Sequence, residues 1–150
     1  MGGKMSDAEK VDRLQISAIG AIWGLARTLG KEGTEKAAKD LGESFGQLYS
    51  SYPGETSVEK LGNAYITLHD IYNNEYEATI GKEKSIIENR YCNIKLGVTP
   101  KVIPLVGKPV LGSMCGWCKI LFPAGAAVNG CQLDIDLREK GCKWTITKKE

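Results

Sequence analysis

The sequence predicts an α+β domain, with N-terminal helices packed on an antiparallel sheet built from two hairpins and a short late helix between them. Three observations carry that reading. Apolar residues recur every three or four positions through the first half of the chain. At Asn73-Asn74 the period drops to two. The last twenty residues then alternate around a turn at Arg138–Gly141.

Ser6 to Glu9 reads as a capping box, and Val11, Leu14, Ala18, Ile22, Leu25 and Leu29 follow as one apolar helix face. Gly30 closes that helix, since glycine enters the left-handed region without steric cost. Thr34 restarts a second helix with Ala37, Ala38, Leu41, Phe45 and Leu48 on one side, and Ser51–Gly54 breaks it. A second capping box, Thr56 to Glu59, opens a third helix with Val58, Leu61, Tyr65, Leu68 and Ile71 as its apolar face. Tyr76, Ala78 and Ile80 make a strand, Gly81 a turn, and Lys84 to Ile94 the returning strand. Between Gly97 and Gly112, Pro100, Pro104 and Pro109 interrupt an apolar stretch. We expect an irregular flap there, packed on the core or over a pocket. Ser113 caps a short helix from Met114 to Phe122, stopped by Pro123 and Gly125. Cys131–Leu137 and Cys142–Thr147 form the closing hairpin, with Leu133, Ile135 and Leu137 on one face and Asp134 and Asp136 on the other.

At 150 residues the chain is expected to be a single domain, 1–150. Net charge is +2, with basic residues spread among acidic ones, so a nucleic-acid interface is not expected. No apolar run approaches the ~20 residues of a membrane span, and no signal-peptide core is visible. A cytoplasmic protein with reduced thiols is therefore expected. Gly2 with Ser6 matches the loose myristoylation pattern, although an ordinary start at Met5 accounts for the same residues.

The chemistry concentrates late. Four of the five cysteines fall between Cys115 and Cys142, beside Trp117 and Trp144. Cys115-Gly-Trp-Cys118 has the gap of a metal knuckle at a helix start, where amide dipoles favour thiolates. Further ligands would come from the last hairpin: Cys142, with Cys131 or Asp134. A turn near Arg138 places Asp134 opposite Cys142 and leaves Cys131 about 10 Å further along. Cys131 and Asp134 also point to opposite faces, so a site taking one carboxylate needs no irregular strand. The same four residues resemble a thioredoxin motif in shape, but they follow no βαβ unit. Cys92 stands alone on a strand and reads as a small buried hydrophobe. His69, the one histidine, reads as a surface or capping residue and leaves little material for a catalytic triad.

The run from Gly24 to Gly42 resembles the paired N-terminal helices of the 4-vinyl reductase small-molecule-binding domain superfamily. That group includes the sensing domains of aromatic-responsive regulators and the aminothiazoline-carboxylate hydrolase-like relatives. Asn89–Asn93 is similar to the family's strand ending in Cys-Pro, with Asn93 in place of proline, and Lys140–Trp144 to its closing strand. The late helix reads shorter than the family's. The resemblance implies an apolar cavity for a small hydrophobic or aromatic ligand, and dimerisation through the N-terminal helices. It also implies a structural zinc held by a late-helix cysteine (Cys115 or Cys118) and by hairpin residues that include Cys142. Asp134 stands where the family usually has cysteine, and Cys131 where it usually has an acid. Trp117, Trp144, Trp23 and Tyr91 are the candidates for lining the cavity. Two other functions share the same residues. One is a hydrolase-like enzyme with Cys92, Cys115 or Cys118 as nucleophile, or with zinc-activated water. The other is an iron–sulfur or redox protein.

Overall fold

Both capping boxes form. In the computed structural model, which describes residues 5–150, the Ser6 hydroxyl accepts from the Glu9 amide at 3.3 Å while the Ser6 amide donates to Glu9 at 2.7 Å. Thr56 and Glu59 repeat the exchange. The Gly2 of the myristoylation pattern lies outside the described residues.

Helix α1 spans Asp7–Tyr49 and bends at Gly30, whose φ of 69° leaves the helical region. The break expected at Gly30 is thus a bend between two helical arms. The Thr34 hydroxyl, buried, donates across the bend to the Ala26 carbonyl at 3.1 Å.

The buried face of α1 is only partly the expected one: Ala38 is buried and Ile22 and Ala37 half-buried, but the larger residues of that face are not. Gln15, Ile19, Trp23 and Ala26 turn inward on the first arm, and Thr34, Ala38, Gly42, Gly46 and Tyr49 on the second. Leu14, Leu25 and Leu48 are 70%, 63% and 61% exposed, and Val11, Leu29, Leu41 and Phe45 are exposed as well. The reason is close packing of backbones. A Cβ on Gly42 would lie 2.0 Å from the Leu121 carbonyl oxygen, and one on Gly46 would lie 2.6 Å from that of Gly125. Small residues let α1 sink onto the later helix α4 (Met114–Val128), while the larger apolar side chains of the same arm stay outside.

Helix α2 (Ser57–Ile71) buries Val58, Leu61, Ala64, Tyr65 and His69, whereas Ile71 is exposed. Strands β1 (Glu75–Thr79), β2 (Lys84–Tyr91), β3 (Cys131–Leu137) and β4 (Cys142–Lys148) form one antiparallel sheet in the order β1-β2-β4-β3. The returning strand of the first hairpin ends at Tyr91, three residues short of Ile94, and the chain turns there into a helix. The closing hairpin pairs Leu137 with Cys142 and Asp134 with Thr145, so Asp134 does not face Cys142.

The Gly97–Gly112 segment is not an irregular flap throughout. A π-helical turn at Ile94–Val98 runs into helix α3 (Thr99–Val106). Pro100 sits in the first turn, where its missing N–H costs nothing. Gly107, at φ 84°, closes the helix, and the Arg27 guanidinium donates to the Val106 carbonyl. Val98 and Val102 pack on Ile19 and Trp23.

Helix α4 likewise passes through Pro123 and ends at Val128, so the late helix is longer than expected. An interior proline costs about 3 kcal/mol. Packing of the continuation offsets it: Gly125 meets the α1 glycines and Ala126 is fully buried. No Ser113 side-chain cap forms at its start. Among the described residues, no helix is long and apolar enough to cross a membrane.

Candidate functional site

The first turn of α4 carries Cys115 and Cys118 three residues apart, on one side of a helix that lies against α1 and the sheet. β4 begins with Cys142, directly opposite Asn89 on β2. Gly141 makes that approach possible, because a Cβ there would stand 1.9 Å from the Asn89 carbonyl oxygen. The Cys92 amide then donates to Lys140 at 2.8 Å, tying the end of β2 to the hairpin turn. These constraints place Cys92, Cys115, Cys118 and Cys142 on the wall of one cavity of about 260 Å³. Ile19, Ile22, Leu41 and Phe45 of α1 line its other side, and His69, Asn89, Trp117 and Trp144 complete much of the rest.

Of the residues singled out from sequence, Cys115, Cys118, Cys142, Trp117 and Trp144 meet at this cavity. Cys131 does not: it is buried at the other end of β3, within the core that contains Leu61 and Phe122, where its thiol donates to the Asn129 carbonyl at 3.7 Å. Asp134 is exposed on the opposite face of β3, with Gln132 donating to its carboxylate. Trp23 is buried in the separate cluster with Ile94, Val98 and Val102, and Tyr91 sits half-buried at the end of β2; neither lines the cavity. The five-residue ligand set of Cys115, Cys118, Cys131, Cys142 and Asp134 is therefore not brought together.

Cys92 packs half-buried against the Ile94 and Val98 cluster as a small apolar residue, and it also lines the cavity with the other thiols, which the sequence reading did not foresee; His69 is the residue that reading misplaced. His69 is 3% exposed rather than superficial. Its position was readable: four residues after Tyr65, it continues the inward face of α2.

Burial pushes the Cys118 thiol well above the ordinary thiol range, and the neighbouring Cys92, Cys115 and Cys142 push the same way. Cys142 is raised to about 11 by burial, against the hydrogen bond its Sγ receives from Trp144 Nε1 at 3.0 Å. Burial also raises Cys92. A cysteine nucleophile requires the reverse shift, so these three are poorly placed for that role. By type, the four thiols suit a soft metal such as zinc. Among the described residues, no group of three or more Cys, His, Asp or Glu side chains is arranged to hold a metal ion.

The hydrogen bonds around His69 fix its tautomer. The Asn93 amide donates to Asn74 Oδ1 at 2.8 Å, which orients the Asn74 side chain. Its Nδ2 then donates to His69 Nδ1 at 2.9 Å, so the neutral ring carries its proton on Nε2. Among the described residues, that Nε2–H has no partner, nor do Trp117 Nε1–H and either end of the Asn89 amide. Asn89 lies near enough to Cys142 to favour its thiolate, yet outside hydrogen-bond geometry. Three lining residues thus carry unmatched donors, and Asn89 an unmatched acceptor as well.

Burial pushes His69 down from 6.5 to about 4, with Asp70 pulling weakly upward. The unfolded ring takes its proton near 6.5 and the folded ring only near 4. Stability therefore holds above pH 6.5 and falls as pH drops toward 4, by about 3 kcal/mol in total. Denaturant melts across this window will show the loss, and His69→Gln will flatten it. Glu9, Glu59 and Glu88 act lower down: their carboxyls are held below 4.5 by bonds from Ser6, Thr56 and Arg138 respectively.

Comparison with family models, curated proteins and solved structures finds no match for this chain.

Proposed function

We propose that this protein binds a small, mainly apolar molecule bearing an oxygen acceptor at one end. One observation supports this above the others. An apolar cavity has Trp117, Asn89 and neutral His69 on its wall, each with a donor that nothing among the described residues satisfies. An unpartnered buried polar group costs about 1–3 kcal/mol. A ligand oxygen would recover that cost, and an aromatic or aliphatic body would fill the remainder. The cavity exceeds the roughly 150 Å³ that accommodates benzene in an apolar core.

Toluene and phenol separate the two parts of the reading, being close in size and differing in the oxygen. Both are expected to raise the melting temperature, with phenol binding about tenfold more tightly, the worth of one buried hydrogen bond. Trp117→Phe and His69→Phe should narrow that preference. If neither compound shifts tryptophan fluorescence or melting, the cavity is not a site for such molecules.

The exposed α1 stripe supports a homodimer within the same proposal. Leu41 and Phe45 belong both to that stripe and to the cavity wall, so a second copy covering the stripe would close the cavity on its α1 side. Light scattering is expected to give twice the monomer mass of 16.3 kDa, and Leu14→Glu with Leu25→Glu should halve it. A monomer before substitution would count against the dimer.

A further inference from the structure

We propose that the cavity selects a neutral carboxamide carried on a small aromatic or aliphatic body, with Asn89 as the residue that recognises it. This rests on the small-molecule reading above and adds the chemical class of the ligand's polar end.

Asn89 stands on β2, between Tyr76 of β1 and Cys142 of β4. Asparagine is depleted in strands, yet here it is 2% exposed, on the same inward face as Ser85 and Ile87. Ser85 shows how the fold treats a buried polar group. Its hydroxyl accepts from the Gly81 amide at 3.2 Å and donates to the Val58 carbonyl at 3.3 Å. Asn89 has no such pairing: among the described residues neither its Nδ2 nor its Oδ1 finds a partner, and the side chain lines the cavity. Two unmatched groups on one buried side chain are a standing cost, recovered in full only by a ligand that matches both.

His69 Nε2–H and Trp117 Nε1–H are donors and ask only for an acceptor. Asn89 Oδ1 is the group that asks for a donor. Another amide answers both ends of Asn89 in one plane, its carbonyl accepting from Nδ2 while its N–H donates to Oδ1. A ketone answers only Nδ2, and a carboxylate sets an anionic oxygen against Oδ1. The lining favours neutrality as well. Among the described residues it contains no Asp, Glu or Arg, and its one lysine, Lys95, already donates to the Arg138 and Glu139 carbonyls at 3.0 and 2.7 Å. An anion would therefore lose its water without gaining an unengaged cation.

Benzamide and acetophenone differ only by NH2 against CH3, and their binding to the full chain, followed by tryptophan fluorescence and thermal melting, tests this directly. Benzamide is expected to bind about tenfold more tightly, the worth of one buried hydrogen bond. N,N-dimethylbenzamide, which keeps the oxygen and loses the donor, should show no such gain, and benzoate at neutral pH should bind more weakly than either. Asn89→Leu should bring the affinities for benzamide and acetophenone together. Circular dichroism checks that this variant folds, and Asn89→Ser replaces it if it does not. Three results overturn the proposal: equal affinities for benzamide and acetophenone, tighter binding of benzoate, or an undiminished benzamide preference without Asn89. Binding of phenol and toluene is read separately, so this inference can fail while the cavity keeps its reading as an apolar site; failure of all these compounds would remove both.

Discussion

Gly42→Ala will destabilise the protein by about 2–3 kcal/mol, although alanine is the better helix former by about 1 kcal/mol. The new Cβ would meet the Leu121 carbonyl oxygen at 2.0 Å and the Ala124 Cβ at 3.1 Å. Backbone atoms cannot rotate out of the way, so α1 must lift from α4. Lifting breaks the bond from Asn129 Nδ2 to the Gly46 carbonyl, 2.7 Å, and loosens the wall that α1 gives the cavity. In a chain of this size the loss corresponds to a melting temperature lower by about 5–10 °C. Gly24→Ala is the matched control. It lies on the other arm of α1 with nothing within 4 Å of the new carbon, and should be neutral or stabilising. Equal stability of the two variants would mean that α1 and α4 do not cross where described.

Trp144→Ala is expected to cost about 3–5 kcal/mol. The indole is 4% exposed and sits at the junction of three rings: Tyr65 at 5.2 Å, His69 at 4.9 Å and Phe122 at 4.8 Å between centroids. Removing it leaves a void in the core and takes away the donor to Cys142 Sγ. Trp144→Phe keeps much of the packing but not that donor, and should cost less. Denaturant unfolding with near-ultraviolet circular dichroism measures both. A loss under about 1 kcal/mol for the alanine variant would contradict the central place given to this ring.

The fold was legible where local chemistry decides it. Ser6–Glu9 and Thr56–Glu59 cap as read, Gly30 bends the chain where a break was expected, and Cys131–Leu137 alternates as drawn. What misled was the assumption that the largest apolar side chains mark the buried face. On α1 the buried stripe runs through Gly42 and Gly46, because backbone-to-backbone approach decided the packing. Prolines were over-read in the same way. Pro100 falls in a first turn and Pro123 inside a helix held by its neighbours, so neither stops one.

At the site, the nearness of Cys115 to Cys118 was legible from spacing, while Cys142 was grouped with them as an expected ligand and through the resemblance, since the hairpin register drawn for it was wrong. The inclusion of Cys92 was not legible. It depends on β4 lying between β3 and β2, a pairing between strands separated by some fifty residues of sequence. Asn89 was invisible for the same reason. Its importance comes from standing opposite Cys142, and nothing within its own strand announces that.

The bend at Gly30 gives α1 two separately anchored arms. Ile19 and Ile22 touch the cavity from one, Leu41 and Phe45 from the other. An occupant between them would touch both at once, across the elbow that the buried Thr34 hydroxyl ties to the Ala26 carbonyl.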